Sequence, residues 1–244
     1  MTKLYEANDH VLIHAEYGNP IQHHHMAAHV IISMEENMQV VSSDTQFICR
    51  GILLPSGCVH YVDTYGKPAL VFLFDCTTPK ALQIKTITPI EDSVCCQIVA
   101  AYLEISQNPT AENYNYFQTK LTSLLGLEAT HSSISDNRIE TAIEYIRTAI
   151  SEHSTCKNVA DAVFLSESRF SHLFKEQTGM TFASYLIYQR LMFVYAAVVQ
   201  GLSITDAALD AGFSSSAHFA DVNRRVFGIS ASNITRDLTF IKIS

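Results

Sequence analysis

Four histidines are the residues whose types and spacing come nearest to chemistry. His23, His25 and His29 share one short stretch, and His60 closes the segment Pro55-Ser-Gly57-Cys-Val-His60. On a strand, the side-chain period of two puts His23 and His25 on one face. His29 joins them if the strand continues in register, and His60 arrives from a neighbouring strand. Four converging imidazoles would favour zinc, copper, nickel or iron over magnesium or calcium. The same rings could instead line a cavity mouth and hydrogen-bond an organic effector, and His24 makes the stretch simply His-rich, so both readings stand. Turnover would require more, namely an open metal position and a polar set that orients substrate. The chain is therefore read as a non-enzyme.

The elements that must position these histidines are strands. Short β-branched or aromatic runs at His10–Tyr17, His29–Ser33, Met38–Val41, Phe47–Cys49, Gly51–Leu54 and Ala69–Phe74 are separated by Gly, Pro, Asn and Asp. That spacing predicts a small β-barrel or sandwich over about residues 8–80. Pro55 to His60 matches the second cupin motif, PxGxxH, and His23 to His29 is similar to the first, with His29 where cupin enzymes carry Glu. The resemblance implies a cupin-like sensor barrel. Two amphipathic helices follow over about 90–127, with Val94, Ile98, Ala101 and Ile105 on one face of the first and Tyr114, Phe117, Leu121 and Leu124 on one face of the second. They either dimerise the chain or cover the open side of the barrel. Thr130–Ser135 is a polar bridge, which divides the chain into a first domain, 1–130, and a second, 136–244.

The second domain predicts helices throughout. One helix from about Asp136 to His153 carries Ile139, Ile143, Ile146 and Ile150 on one side. A helix-turn-helix over about 158–178 follows, ending at Gly179. A long apolar helix over 182–200 then leads to a second helix-turn-helix over about 204–227. Ala208 and Gly212 serve the crossing and the turn in the second copy, and Ser214 is expected to cap its second helix. Ala160 and Ser166 take the equivalent places in the first copy, but Phe164 stands where Gly212 would be.

A pair of such motifs about 48 residues apart, bridged by one helix, resembles the AraC/XylS family of bacterial transcription regulators. The resemblance rests on Ser166 to Gly179, Arg190-Leu191, Ala208 to Phe219 and Phe227-Gly228, and covers the last ~100 residues well. It implies an α+β, two-domain regulator in which a cupin-like barrel with following helices precedes an all-α DNA-binding domain. It also implies double-stranded DNA as a partner, a small-molecule or metal effector, a homodimer, and RNA polymerase as a further candidate partner. Ser166, Ser168, Arg169, Ser171, His172 and Lys175 in the first copy, and Ser215, Ser216, His218 and Arg224 in the second, would face base edges or phosphates. Two departures weaken the second copy: Asn223 stands where the family has an aromatic residue, and Asp221 places a carboxylate on the helix that should face phosphate. Two rival readings follow, a cupin metalloenzyme with a vestigial DNA-binding appendage and an interaction module with a weakened second motif.

The net charge of −8 is unusual for a DNA-binding chain, and it is unevenly placed. Residues 1–135 carry 6 Lys and Arg against 13 Asp and Glu, a balance of −7, whereas residues 136–244 carry 10 against 11, a balance of −1. A local basic stripe from Arg169, Lys175, Arg190, Arg224, Arg225 and Arg236 is expected to offset this. The six cysteines have no CxxC pair, which argues against a zinc ribbon or disulfide framework, and the neighbours Cys95-Cys96 are read as buried helical thiols. No basic-then-apolar run opens the chain, so the expected compartment is the cytoplasm. The apolar helix over 182–200 carries Arg190 at its centre, which argues against a membrane span. An all-round apolar surface of this kind should be covered by the sensor domain or by a second subunit.

Overall fold

The computed structural model describes residues 2–7, 10–16, 22–24, 27–43, 45–74, 78–127, 134–148, 150, 154–178, 180–227, 230–231, 235 and 238–243. The chain begins with nine strands: β1 (Thr2–Glu6), β2 (His10–Glu16), β3 (His23–His24), β4 (Ala28–Ser33), β5 (Met38–Ser42), β6 (Thr45–Cys49), β7 (Gly51–Leu54), β8 (Val59–Asp63) and β9 (Pro68–Phe74). A short helix α1 (Pro79–Gln83) and strand β10 (Thr88–Ile90) lead to α2 (Asp92–Gln107) and α3 (Ala111–Leu125). The helical half contains α4 (Asn137–Thr148), α5 (Cys156–Ala162), α6 (Glu167–Thr178), α7 (Phe182–Val199), α8 (Ile204–Asp210) and α9 (Ser216–Phe227), and a last strand, β11 (Leu238–Lys242), ends it.

The strands do not close into the expected barrel. Among the described residues they form a seven-stranded sheet ordered β10-β7-β4-β9-β2-β1-β11 and a separate four-stranded sheet ordered β3-β8-β5-β6. The reason lies in the side chains of the larger sheet, which are apolar on both faces. Val11, Ile13 and Ala15 of β2, with Val71 and Leu73 of β9, face a core completed by Met38, Val40 and Val62 of the smaller sheet. Leu12, Leu70, Phe72 and Phe74 point the other way, onto Ile98, Tyr102, Ile105, Phe117 and Leu121 of α2 and α3. A sheet buried on both faces needs a layer on each side, and here one layer is strands and the other helices. The pair α2 and α3 thus covers the sheet, which was one of the two roles open to it.

Beneath these helices, polar atoms are paired. His10 Nε2 lies 2.7 Å from the Tyr114 hydroxyl, and His14 Nδ1 lies 2.8 Å from the Tyr102 hydroxyl. Burial, with the Lys3 ammonium adding to it, pushes His14 down to about 4, so its ring is neutral at physiological pH. Of the adjacent thiols, Cys95 is buried in α2 and its pKa is pushed up to about 12 by desolvation. Cys96 is exposed and accepts from Arg50 Nη1 at 3.0 Å, so only the first fits the buried reading.

The helical half has two cores. Ile139, Ile146, Val159, Ala160, Phe170, Phe174, Phe182, Tyr185 and Leu186 enclose the first helix-turn-helix. The second shares its core with the sheet: Leu191, Val194 and Tyr195 of α7, Ala207 and Ala208 of α8, and Phe219, Val222 and Phe227 of α9 join the cluster that holds Leu4, Val11 and Ile13. This explains why α7 is apolar all round. Phe182–Val199 is by length and composition long enough to cross a membrane, but one end belongs to the first core and the other to the shared one. The N-terminal sheet packs on part of it. The expectation of an all-helical second domain holds past α9, where Ala231 and Thr235 are helical, and fails at β11, which leaves that domain and pairs in parallel with β1. The bridge 130–133, His153, Gly179 and Gly228 lie outside the described residues.

Candidate nucleic-acid interface

The two helix-turn-helix motifs are built by the same hydrogen bonds. In the first, α5 is capped by Thr155, whose Oγ1 accepts from the Asn158 amide at 3.1 Å. The helix ends with the Phe164 amide donating to the Asp161 carbonyl and the Leu165 amide to the Ala160 carbonyl at 2.9 Å. In the second, Ser203 caps α8 by accepting from the Asp206 amide at 3.1 Å, and the Gly212 and Phe213 amides donate to the Leu209 and Ala208 carbonyls. This pair of bonds is the Schellman closure, and it requires a left-handed residue at the end of the helix. Gly212 meets that requirement with φ of 84°, and Phe164 meets it with φ of 57° despite its side chain. The position where sequence comparison marked a missing glycine therefore keeps its conformation and carries the strain.

The second turn is one residue longer than the first. Ser166 caps α6 by accepting from the Arg169 amide at 3.3 Å, as expected. In the second copy the cap is Ser215, which accepts from the His218 amide at 3.1 Å. Ser214, expected to cap, instead bonds the His218 ring, its Oγ lying 3.0 Å from Nδ1. The single added residue explains the correction: after the left-handed position, the first chain reaches its cap in two residues and the second in three.

The residues expected to face DNA are exposed in α6 at Ser168, Arg169, Ser171, His172 and Lys175, while Phe170, Leu173 and Phe174 are buried. His172 Nδ1 lies 3.7 Å from Glu176 Oε2, one turn on, and Ser171 Oγ lies 3.2 Å from the Cys156 thiol. In α9, Ser215, His218 and Arg224 are exposed and Ser216 half-buried. Asp221 pairs with Arg225 at 3.0 Å one turn on, both side chains exposed, so it consumes a cation of its own helix. Arg190, counted in the expected basic stripe, turns inward: its Nη1 donates to the Gly212 carbonyl at 3.2 Å, and its guanidinium lies 3.0 Å from where a Cβ on residue 212 would stand. Burial lowers its pKa below the ordinary arginine value. Arg236 lies outside the described residues. Gly212 thus meets the demand of its φ and also leaves room for Arg190 at close contact, a second feature that sequence reasoning missed.

Asn223, the departure that threatened the second core, is fully buried, and its Oδ1 accepts from the Tyr195 hydroxyl. Burial raises the Tyr195 pKa well above its ordinary value, so the hydroxyl stays a donor. The buried amide is thus paired across α7 and α9, a pairing visible only once the helices are packed.

Of the four histidines, His29 and His60 have described side chains, and the structure brings them together. His29 and His60 are buried with ring centroids 5.2 Å apart, edge to face. His29 is on β4, in the other sheet from β3, so the continuous strand expected to carry it past His25 is broken. Backbone register sets His23 opposite His60, while His25 lies outside the described residues. His60 Nδ1 lies 2.9 Å from the Cys58 carbonyl, which fixes Nδ1 as the protonated nitrogen and leaves Nε2 with the lone pair a metal would need. Among the described residues no group of three or more His, Cys, Asp or Glu could hold a metal ion.

A cleft of about 390 Å³ opens between the two halves. The ends of β1 and β11 give it Glu6 and Lys242, α4 gives Glu144 and Arg147, and α7 gives Tyr188, Met192 and Phe193. Burial raises the Glu6 pKa, against the pull of Lys242 and Arg147.

A helix-turn-helix domain family matches residues 159–237. Regulatory protein PocR of Salmonella typhimurium (strain LT2) is 30% identical over 95 residues, which are 38% of this chain and 31% of PocR, so the chain spans about a third of that relative. The crystal structure of apo ToxT K231A from Vibrio cholerae strain SCE256 matches with a TM-score of 0.62 and 11% identity, over 96% of this chain and 100% of that one. Wild-type ToxT from the same strain with an unsaturated fatty acid bound matches with a TM-score of 0.56 and 10% identity, over 96% and 97%. At such identities the likeness to ToxT is one of fold: a sheet-rich first domain and a helical second one. Residues 159–237 are thus similar to a helix-turn-helix domain family and overlap the stretch shared with a bacterial regulatory protein, and the two Schellman-closed motifs strung on one helix make up that domain.

Proposed function

We propose that this protein is a sequence-specific DNA-binding regulator whose two halves, packed on one another, sense a small molecule in the cleft between them. The single observation that carries the reading is the shared core: the second helix-turn-helix has no core separate from the N-terminal sheet, so a change in how the sheet packs reaches α9 directly. The cleft volume falls within the range of small-molecule sites, and such sites favour domain junctions. Its apolar wall of Tyr188, Met192 and Phe193 beside four charged groups suits an amphipathic molecule. The fatty acid bound to ToxT, a protein of the same fold, supports a ligand of this general kind.

In this reading α6 reads bases or phosphates through Ser168, Arg169, Ser171, His172 and Lys175, and α9 contributes Ser216, His218 and Arg224. Ser166 and Ser215 act as caps, which aims the two helix N-termini. The pair His29 and His60 is proposed as a packing element of the sensor, with a transition metal as a further occupant if His23 and His25 complete the set. Selection of bound duplexes from a random pool tests the function. The expected result is an enriched motif whose affinity changes when an amphipathic ligand fills the cleft. A pool that stays random, with and without ligand, would contradict it.

A further inference from the structure

The extended element that sequence reasoning did not foresee is β11. It runs parallel to β1 over its whole length, from Thr2 opposite Leu238 to Glu6 opposite Lys242, and the Ile243 amide donates to the Glu6 carbonyl at 2.8 Å. Its side chains divide between two cores. Leu238 and Phe240 pack on the core shared with the second helix-turn-helix, while Ile241 and Ile243 pack on the core beneath α2 and α3. The strand is at an edge, and its residues are half-buried or exposed. An edge strand of five residues, half in contact with water, opens at lower cost than the central strands it joins.

We propose that β11 is a releasable clasp that holds the second helix-turn-helix on the N-terminal sheet, and that its release strengthens DNA binding. The proposal rests on the DNA-binding reading above for its direction. The direction follows from charge. The N-terminal half carries −7 and the helical half −1, so the clasp holds the acidic half beside helices that must approach phosphate. At physiological ionic strength a field reaches about 8 Å before it is screened, so loosening at β11 that shifts the acidic sheet by a few ångströms, with the shared core kept, already weakens the repulsion. The last in-register pair, Glu6 and Lys242, also forms part of the cleft wall. A molecule that binds there only when both strands are seated favours the closed clasp by its difference in affinity for the two states.

A reversible lock tests this on the full chain. Lys3 and Thr239 are in-register neighbours on parallel strands, and adjacent strands lie about 4.8 Å apart, within the reach of a disulfide. In K3C/T239C, with the exposed Cys96 changed to Ser, the oxidised protein is expected to bind a selected duplex at least ~10-fold more weakly than the same protein after reduction. Phe240→Ser, which loosens the clasp, is expected to bind several-fold more tightly than the parent at low salt, with the difference shrinking as salt rises. Equal affinity of the oxidised and reduced forms, together with no gain from Phe240→Ser, overturns the proposal. Hydrogen exchange gives a readout independent of DNA: the amides of 238–242 should exchange well before those of β2 and β9. Exchange of β11 only with global unfolding overturns the clasp even if no duplex binds, whereas early exchange with no DNA binding upholds the clasp and refutes the DNA-binding reading.

Discussion

At the scale of single residues, the structure assigns opposite costs to the two turn positions. Phe164 is left-handed and 96% exposed, so its ring gains little from packing while its backbone is strained. Phe164→Gly is expected to stabilise the protein by about 0.5–1 kcal/mol, as a rise in thermal midpoint, because relief of strain exceeds the added freedom of the unfolded chain. Gly212→Ala should do the reverse and cost roughly 1–3 kcal/mol, since φ is unfavourable and the new Cβ would lie 3.0 Å from the Arg190 guanidinium. His14 gives a pH dependence with a definite sign. Its folded pKa of about 4 lies below the ordinary value of 6.5, so the unfolded chain binds the extra proton between those limits. Stability is therefore full above that window and is lost as pH falls from about 6.5 towards 4, by roughly 1–2 kcal/mol after allowance for a part-exposed ring. His14→Gln, followed by denaturant titration at each pH, should flatten this segment of the curve. Cys95 and Asn223 illustrate what single residues could reveal in sequence. The two adjacent thiols were read alike as buried and only Cys95 is, while the Asn223 partner, Tyr195, lies on another helix and no local pattern joins them.

At the scale of elements, helices were legible and the way they share cores was not. The three- and four-residue spacings of α2, α3, α4 and α6 announce each buried face before any packing is known. The strands were legible as short apolar runs, but closure was not, because runs that are apolar on both faces are compatible with a barrel wall or with a middle layer. The turn in the second motif shows the resolution limit of such reading: Ser214 and Ser215 both fit a cap by type, and only the hydrogen bond to the His218 amide selects Ser215. Ser215→Ala should accordingly cost about 1 kcal/mol of stability, and Ser214→Ala much less. Of the proposed DNA face, the α6 side chains are exposed, whereas in α9 Arg225 pairs with Asp221. Asp221→Arg removes that pairing and adds a cation. If α9 faces phosphate, its duplex affinity should rise several-fold and its salt slope should steepen by about one to two units.

At the scale of the whole molecule, the two helix-turn-helix motifs are unequal partners. The first has a private core, and the second shares its core with the N-terminal sheet, to which β11 also pairs. Under the proposed function, one reading head stays fixed in its own core while an effector acts on the other. Nothing in the chain order announced this, because β1 and β11 lie at opposite ends of the sequence and meet only when the domains fold together. The direct test is a pair of anisotropy titrations on one selected duplex over a range of salt, comparing Arg169→Ala in α6 with Arg224→Ala in α9. The account predicts a loss of at least ~10-fold for Arg169→Ala and a smaller loss for Arg224→Ala, each with a shallower salt slope than the parent. A larger loss from Arg224→Ala, or no loss from either, would contradict it.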